Sequence, residues 1–165
     1  MWTVIKFEKK RINFLRQDLT KKLGSNYKIY IPKIKIQKYI KNKLISKEVS
    51  LLGDYMFCFH KQFNSKLTVE ALKFVRGLKY FLTGHNDSQE DIKNFIKRCS
   101  ELEDKNGYIS KDLFELEINK HYKFSSGPFT DKIFKLVNLQ KNIIKISMGN
   151  LSTSINRKKY LFTPL

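Results

Sequence analysis

The chain has 165 residues, 41% of them apolar and 13% aromatic, enough to build real cores in one domain or in two small ones. Its 33 Lys/Arg against 15 Asp/Glu give a net charge of +18, and residues 1–50 alone hold 14 of the cations against 3 acids. No stretch approaches the ~18 apolar residues of a membrane span, and the start of the chain carries no apolar signal region, so a cytoplasmic protein without membrane contact is expected.

Catalytic and metal chemistry find no support in the motifs. Cys58 and Cys99 are the only cysteines and have no partner at metal-ligand spacing, and His60, His85 and His121 are scattered. Neither a glycine-rich phosphate loop nor a nucleophile elbow is present, and no spaced pair of carboxylates sits in an apolar setting. The expectation is a protein that is not an enzyme, binds no cofactor or metal, and keeps both thiols reduced and packed. The basic balance points to phosphate backbones as partners. An A/T-rich coding sequence would favour Lys over Arg as well, but it does not explain why acids are so few.

In chain order, Trp2-Thr3-Val4-Ile5-Lys6-Phe7 alternates as a strand. From Glu8 the period lengthens: Ile12, Leu15, Leu19 and Leu23 recur at helical spacing among Lys9, Lys10, Arg11, Arg16, Lys21 and Lys22, and Gly24 stands where a helix stops. This is a basic amphipathic helix. Residues 27–32 alternate again and end at Pro32. Residues 33–47 carry six lysines and no acid, interleaved with Ile34, Ile36, Tyr39, Ile40, Leu44 and Ile45. Two strands turning at Lys41-Asn42-Lys43 would form a basic hairpin arm, either a solvated edge guarded by its lysines or a nucleic-acid contact.

The densest apolar run of the first two thirds follows, Ser50-Leu51-Leu52-Gly53-Asp54-Tyr55-Met56-Phe57-Cys58-Phe59. It reads as a strand entered through a turn. Alternation sends Met56 and Cys58 one way and Tyr55, Phe57 and Phe59 the other, so the strand is either covered on both faces or offers an aromatic row to a partner. Residues 67–75 read as a short helix, residues 78–83 as a strand after Arg76-Gly77, and Ser88-Gln89-Glu90-Asp91 as the start of a second amphipathic helix through Ile92, Phe95, Ile96, Cys99 and Leu102. A polar stretch then suggests a linker, and the remainder reads as short strands with turns at Ser126-Gly127-Pro128-Phe129 and Gly149-Asn150. The fold class expected is α+β: a helix-flanked antiparallel sheet over residues 1–102, a linker over 103–115 and a small β-barrel over 116–165.

These residues, in this order, resemble the NusG family of transcription elongation factors, and its operon-restricted RfaH-like members more than the housekeeping ones. The likeness rests on Trp2 in the first strand, Pro32 closing the second, and Tyr55 and Phe57 in the place of the family's Phe-Pro-Gly/Asn-Tyr-Leu-Phe-Val. Arg76-Gly77 precedes the next strand, and Gly127-Pro128-Phe129 and Gly149-Asn150 with Thr153 fit the family's KOW module, although Phe134 stands where that module usually has a glycine.

The resemblance implies an NGN domain that docks an aromatic patch on the β′ clamp helices of RNA polymerase and bridges to the β gate loop. It also implies an SH3-like KOW barrel that recruits ribosomal protein S10 or Rho. On that basis Tyr55, Phe57 and Thr68 are the expected polymerase-binding residues, and Lys9, Lys10, Arg11, Arg16 and Arg76 the expected contacts to upstream or non-template DNA. The expected role is antitermination, pause suppression or termination control. A ribosome-associated RNA-binding protein or a nonspecific basic DNA-binding protein is the alternative. The β-branched run Asn142-Ile143-Ile144-Lys145-Ile146-Ser147-Met148 further predicts a C-terminal barrel at rest rather than a helical hairpin.

Overall fold

A computed structural model describes residues 1–109 and 116–165. The chain forms two compact units, Met1–Pro32 with Ser50–Ser100, and Lys33–Val49 with Glu101–Leu165.

The first unit is a four-stranded antiparallel sheet in the order β2-β5-β1-β6, built from β1 (Trp2–Phe7), β2 (Lys28–Tyr30), β5 (Tyr55–Phe59) and β6 (Leu78–Phe81). Strand alternation gives it two faces. Thr3, Ile5 and Phe7 of β1 point inward and are buried, opposite Met56 and Cys58 of β5. Helix α1 (Ile12–Leu23) closes this inner face with Leu15, Leu19 and Leu23, and α2 (Lys66–Leu72) adds Leu72. Full burial of one such leucine stabilises by about 1.5–3 kcal/mol, so the period of α1 and the alternation of β1 are the two halves of one core. Gly24 ends α1 with φ +77, as its position suggested.

Gly77 lets the start of α1 approach β6. Its φ is +82, its carbonyl accepts from the Glu8 amide at 2.8 Å, and a Cβ there would sit 2.9 Å from the Arg11 carbonyl oxygen. Helix α3 (Gln89–Glu101) follows β6, and its first residue grips β1: Gln89 Oε1 accepts from the Trp2 amide at 2.9 Å while its Nε2 donates to the Trp2 carbonyl at 2.7 Å.

The second unit holds a five-stranded antiparallel sheet in the order β10-β9-β8-β7-β11, from β7 (His121–Phe124), β8 (Ile133–Leu139), β9 (Ile143–Met148), β10 (Leu151–Asn156) and β11 (Phe162–Pro164). The sheet surrounds a core of Tyr122, Phe124, Phe134, Leu136, Ile144, Ile146 and Phe162, with Ile155 and Tyr160 against it. Phe134 fills its centre, 4.6 Å from the ring of Phe124 and 5.3 Å from that of Phe162. The last strand, β11, has no counterpart in the sequence reading.

The basic arm is present as a separate two-stranded sheet, β3 (Lys33–Ile40) and β4 (Lys43–Ser50). Lys41 and Asn42 both take positive φ, 49° and 59°, the two-residue turn whose twist matches a hairpin. Within the second unit the Gln37 amide donates to the Ser125 carbonyl at 2.9 Å, and Gln37 Oε1 accepts from the Gly127 amide at 2.8 Å.

The polar stretch after α3 is an ordered turn up to residue 109. Asp104 Oδ1 accepts from the Asn106 and Tyr108 amides at 2.8 and 3.0 Å, and buried Ile109 donates its amide to the Lys33 carbonyl at 2.8 Å. The rest of the expected linker, residues 110–115, lies outside the described residues.

Candidate functional site

The outer face of the first sheet is aromatic. The register sets Trp2 beside Phe59, Val4 beside Phe57 and Lys6 beside Tyr55 across β1 and β5, and adds Tyr30 beside Phe57 and Tyr80 beside Lys6. Helix α3 lies over the middle of this face. Phe95 meets Phe57 at 5.7 Å, Tyr30 stacks on it at 6.4 Å, and Phe57 is left only 5% exposed. Of the row inferred from alternation, Phe57 is therefore an interior residue in this conformation, while Tyr55 is half-buried.

The uncovered end of the face is organised around Lys6. Its Nζ lies 5.2 Å from the Tyr55 ring centroid and 5.6 Å from that of Tyr80, and the two tyrosine hydroxyls are 3.1 Å apart. The hydrogen bond with Tyr80 lowers the Tyr55 pKa below the usual phenol range, with Lys6 adding to the effect, and the same bond raises that of Tyr80. The Lys6 ammonium is in turn held charged, first by its hydrogen bond to Tyr55. Tyr80 is 45% exposed and Leu82, whose amide donates to the Val4 carbonyl, is 38% exposed. Here an apolar surface with fixed polar tips is open to a partner, the composition that favours protein interfaces. Lys6 and Tyr80 were not singled out from the sequence. Only the register of β1 against β5 and β6 brings them to Tyr55.

Thr68 is half-buried on α2, which packs against the inner face, so it does not join Tyr55. The candidate nucleic-acid cations are spread along the start of α1 and the turn before β6. Lys9 Nζ lies 3.2 Å from Asp54, and Arg11 Nε 3.3 Å from Glu8. Lys10 and Arg16 are exposed and have no ion pair among the described residues. Arg76 is engaged differently. Its Nε and Nη2 donate to Asp18 at 2.9 and 2.7 Å, its backbone amide donates to the same carboxylate at 3.2 Å, and its guanidinium covers the Phe14 ring at 4.9 Å. The fork holds the Asp18 carboxyl down at about 2. It ties α1 to the α2–β6 turn and neutralises a charge counted as available for DNA.

Burial pushes the Cys58 thiol up to about 12, which makes it unreactive. Among the described residues no group of three His, Cys, Asp or Glu side chains could hold a metal ion, and no helix is long and apolar enough to cross a membrane.

Among solved structures the chain is similar to Thermotoga maritima NusG, at 15% identity over 94% of this chain and 91% of that one, with a TM-score of 0.36. It is also similar to a chain of the MjSpt4:Spt5 complex, at 11% identity over 100% of this chain and 98% of that one, with a TM-score of 0.29. No protein-family model matches the chain, and no curated protein does.

Proposed function

We propose that this chain is a non-catalytic, NusG-like regulator of transcription elongation that docks on RNA polymerase through its first unit. The observation that carries the reading is the open end of the outer face, where Lys6 lies against the rings of both Tyr55 and Tyr80, whose hydroxyls are 3.1 Å apart, next to the covered Phe57. Aromatic groups with anchored polar tips are the kind of side chain that concentrates binding energy at protein interfaces. The motif order from Trp2 through Pro32, Tyr55 and Arg76-Gly77 supports polymerase as the partner, with the β′ clamp helices as the docking element and the β gate loop reached by Thr68. Lys9, Lys10, Arg11 and Arg16 then serve upstream or non-template DNA, and the five-stranded sheet of the second unit takes a further protein, ribosomal protein S10 or Rho. Outcomes at the polymerase are pause suppression, antitermination or termination control.

Pull-down with the tagged full-length chain tests this. Recovery of polymerase subunits, lost when Tyr55 and Tyr80 are both changed to Ala in a chain that still folds, is the expected result. Recovery of ribosomal particles, or of nucleic acid alone, would replace it with one of the two basic-protein alternatives.

A further inference from the structure

The second unit contains a cleft of about 470 Å³ lined by the arm and by the turns flanking β7 and β11. Of the lining residues, Gln37 is fixed by two hydrogen bonds, its amide to the Ser125 carbonyl and its Oε1 from the Gly127 amide, so its backbone N–H and side-chain oxygen are both engaged. One wall is Tyr160, set edge-on to Phe124 at 5.8 Å. The ring fits because residue 127 is glycine: at φ +82, any Cβ there would run into it. Lys35 of β3 and Lys159 also line the space, and Ser46 and Ser126 contribute hydroxyls.

The charges are one-sided. Among the described residues no carboxylate lines the cleft, and neither Lys35 nor Lys159 has an acidic ion-pair partner. Lys35 lies 5.9 Å from the Tyr108 ring, and Lys159 lies 5.9 Å from the ring of Tyr160. The Tyr108 hydroxyl donates to Glu48 at 2.7 Å, and Glu48 forms its ion pair with Lys33 rather than with Lys35. Lys159 ends a basic 3-10 turn, Arg157–Lys159. In the other direction the same face of β3 continues from Lys35 past Gln37 to Tyr39, which is 52% exposed. Two cations, Lys35 and Lys159, and one aromatic ring, Tyr160, therefore line the same concavity, and Tyr39 extends the face of β3 beyond it.

We propose that this cleft binds one nucleotide of a single-stranded nucleic acid, with Lys35 and Lys159 on the phosphate and the ring of Tyr160 against the base. Sequence-tolerant binding of single strands uses this combination of a basic groove and stacking rings. A volume of this size falls in the range of sites for ligands of nucleotide dimensions. The site is separate from the cations of α1, and it does not depend on the polymerase reading.

The test measures binding of a fluorescent oligo(U) and oligo(dT) to the full-length chain by anisotropy across a salt series, with a duplex of the same length beside them. Changing Lys35 and Lys159 together to Glu is expected to weaken single-strand binding at least tenfold and to lower the salt slope by about 1.4, two single-strand phosphate contacts at roughly 0.7 each. Both lysines are exposed, and Lys35→Gln with Lys159→Gln, a milder pair, covers the case of a misfolded reversal. Tyr160→Phe should keep binding, and Tyr160→Leu should weaken it at least tenfold while the salt slope stays.

With Lys9, Lys10, Arg11 and Arg16 changed to Gln as a background, the further change of Lys35 and Lys159 should still weaken single-strand binding at least tenfold and lower the salt slope by about 1.4. That separates failure of this site from failure of the α1 contacts. Unchanged affinity and slope in both lysine pairs would overturn the proposal. So would equal competition by a poly-glutamate peptide, which would mark an acidic protein as the ligand, and so would saturation by free phosphate alone.

Discussion

The hydroxyl oxygens of Tyr55 and Tyr80 lie 3.1 Å apart, on strands that never pair with each other. They meet because β1 runs between β5 and β6 and presents Lys6 to both rings. If this pair anchors polymerase, replacing both tyrosines by Ala should cost about 2 kcal/mol per anchor, roughly 30-fold in affinity each. Titration of the purified polymerase with the double variant measures it, and unchanged affinity in a folded protein removes the pair from the interface.

Phe57 should behave as a core residue. It sits between Phe95 and Tyr30 at 5% exposure, so Phe57→Ala is expected to destabilise the first unit by about 3–5 kcal/mol, the range for a buried aromatic. Chemical denaturation reads this directly. A variant of unaltered stability that has lost partner binding would instead show that α3 moves aside and exposes the ring.

The Asp18–Arg76 fork predicts an acid sensitivity. Asp18 is depressed from an ordinary 3.8 to about 2, so its contribution is complete above pH 4 and disappears as pH falls through about 2. Asp18→Asn should therefore be less stable than the parent at neutral pH, and the two unfolding curves should converge towards pH 2. Curves that stay parallel over that range would show that the fork carries no linkage.

Gly127 provides a test in the second unit. Gly127→Ala places a side chain at φ +82 and against the Tyr160 ring, so it should destabilise by more than the ~1–2 kcal/mol of a left-handed alanine alone. Gly149→Ala, with φ +58 and nothing within 4 Å of the added carbon, should cost only the conformational part. Equal losses at the two positions would mean that Tyr160 swings freely.

Much of the fold was legible because its signals are local. The leucine period of α1, the alternation of β1 and the positive-φ turn at Lys41-Asn42 each need only a handful of neighbouring residues. What escaped was set at long range. Alternation assigns Phe57 to a face but cannot say that Phe95 covers that face. Arg76 reads as a free cation until Asp18, 58 residues away, is seen to hold it. Lys6 looked like an ordinary strand lysine until the register placed it between two rings. Strand β11 escaped for another reason: three residues containing Pro164 carry almost no strand signal, and only pairing with Tyr122–Phe124 makes them one.

The arm has a consequence for how the protein is made. Lys33–Val49 leave the ribosome long before Ser125 and Gly127, the groups that later hold Gln37. During that interval a two-stranded ribbon has no third strand to lean on and two open edges. Its lysines at 33, 35, 38, 41, 43 and 47 repel any second nascent copy that could pair with those edges. A chain interrupted after α3 would complete the first sheet and carry the ribbon as an unpacked, charged hairpin between β2 and β5, because the residues that complete the second unit would never be synthesised.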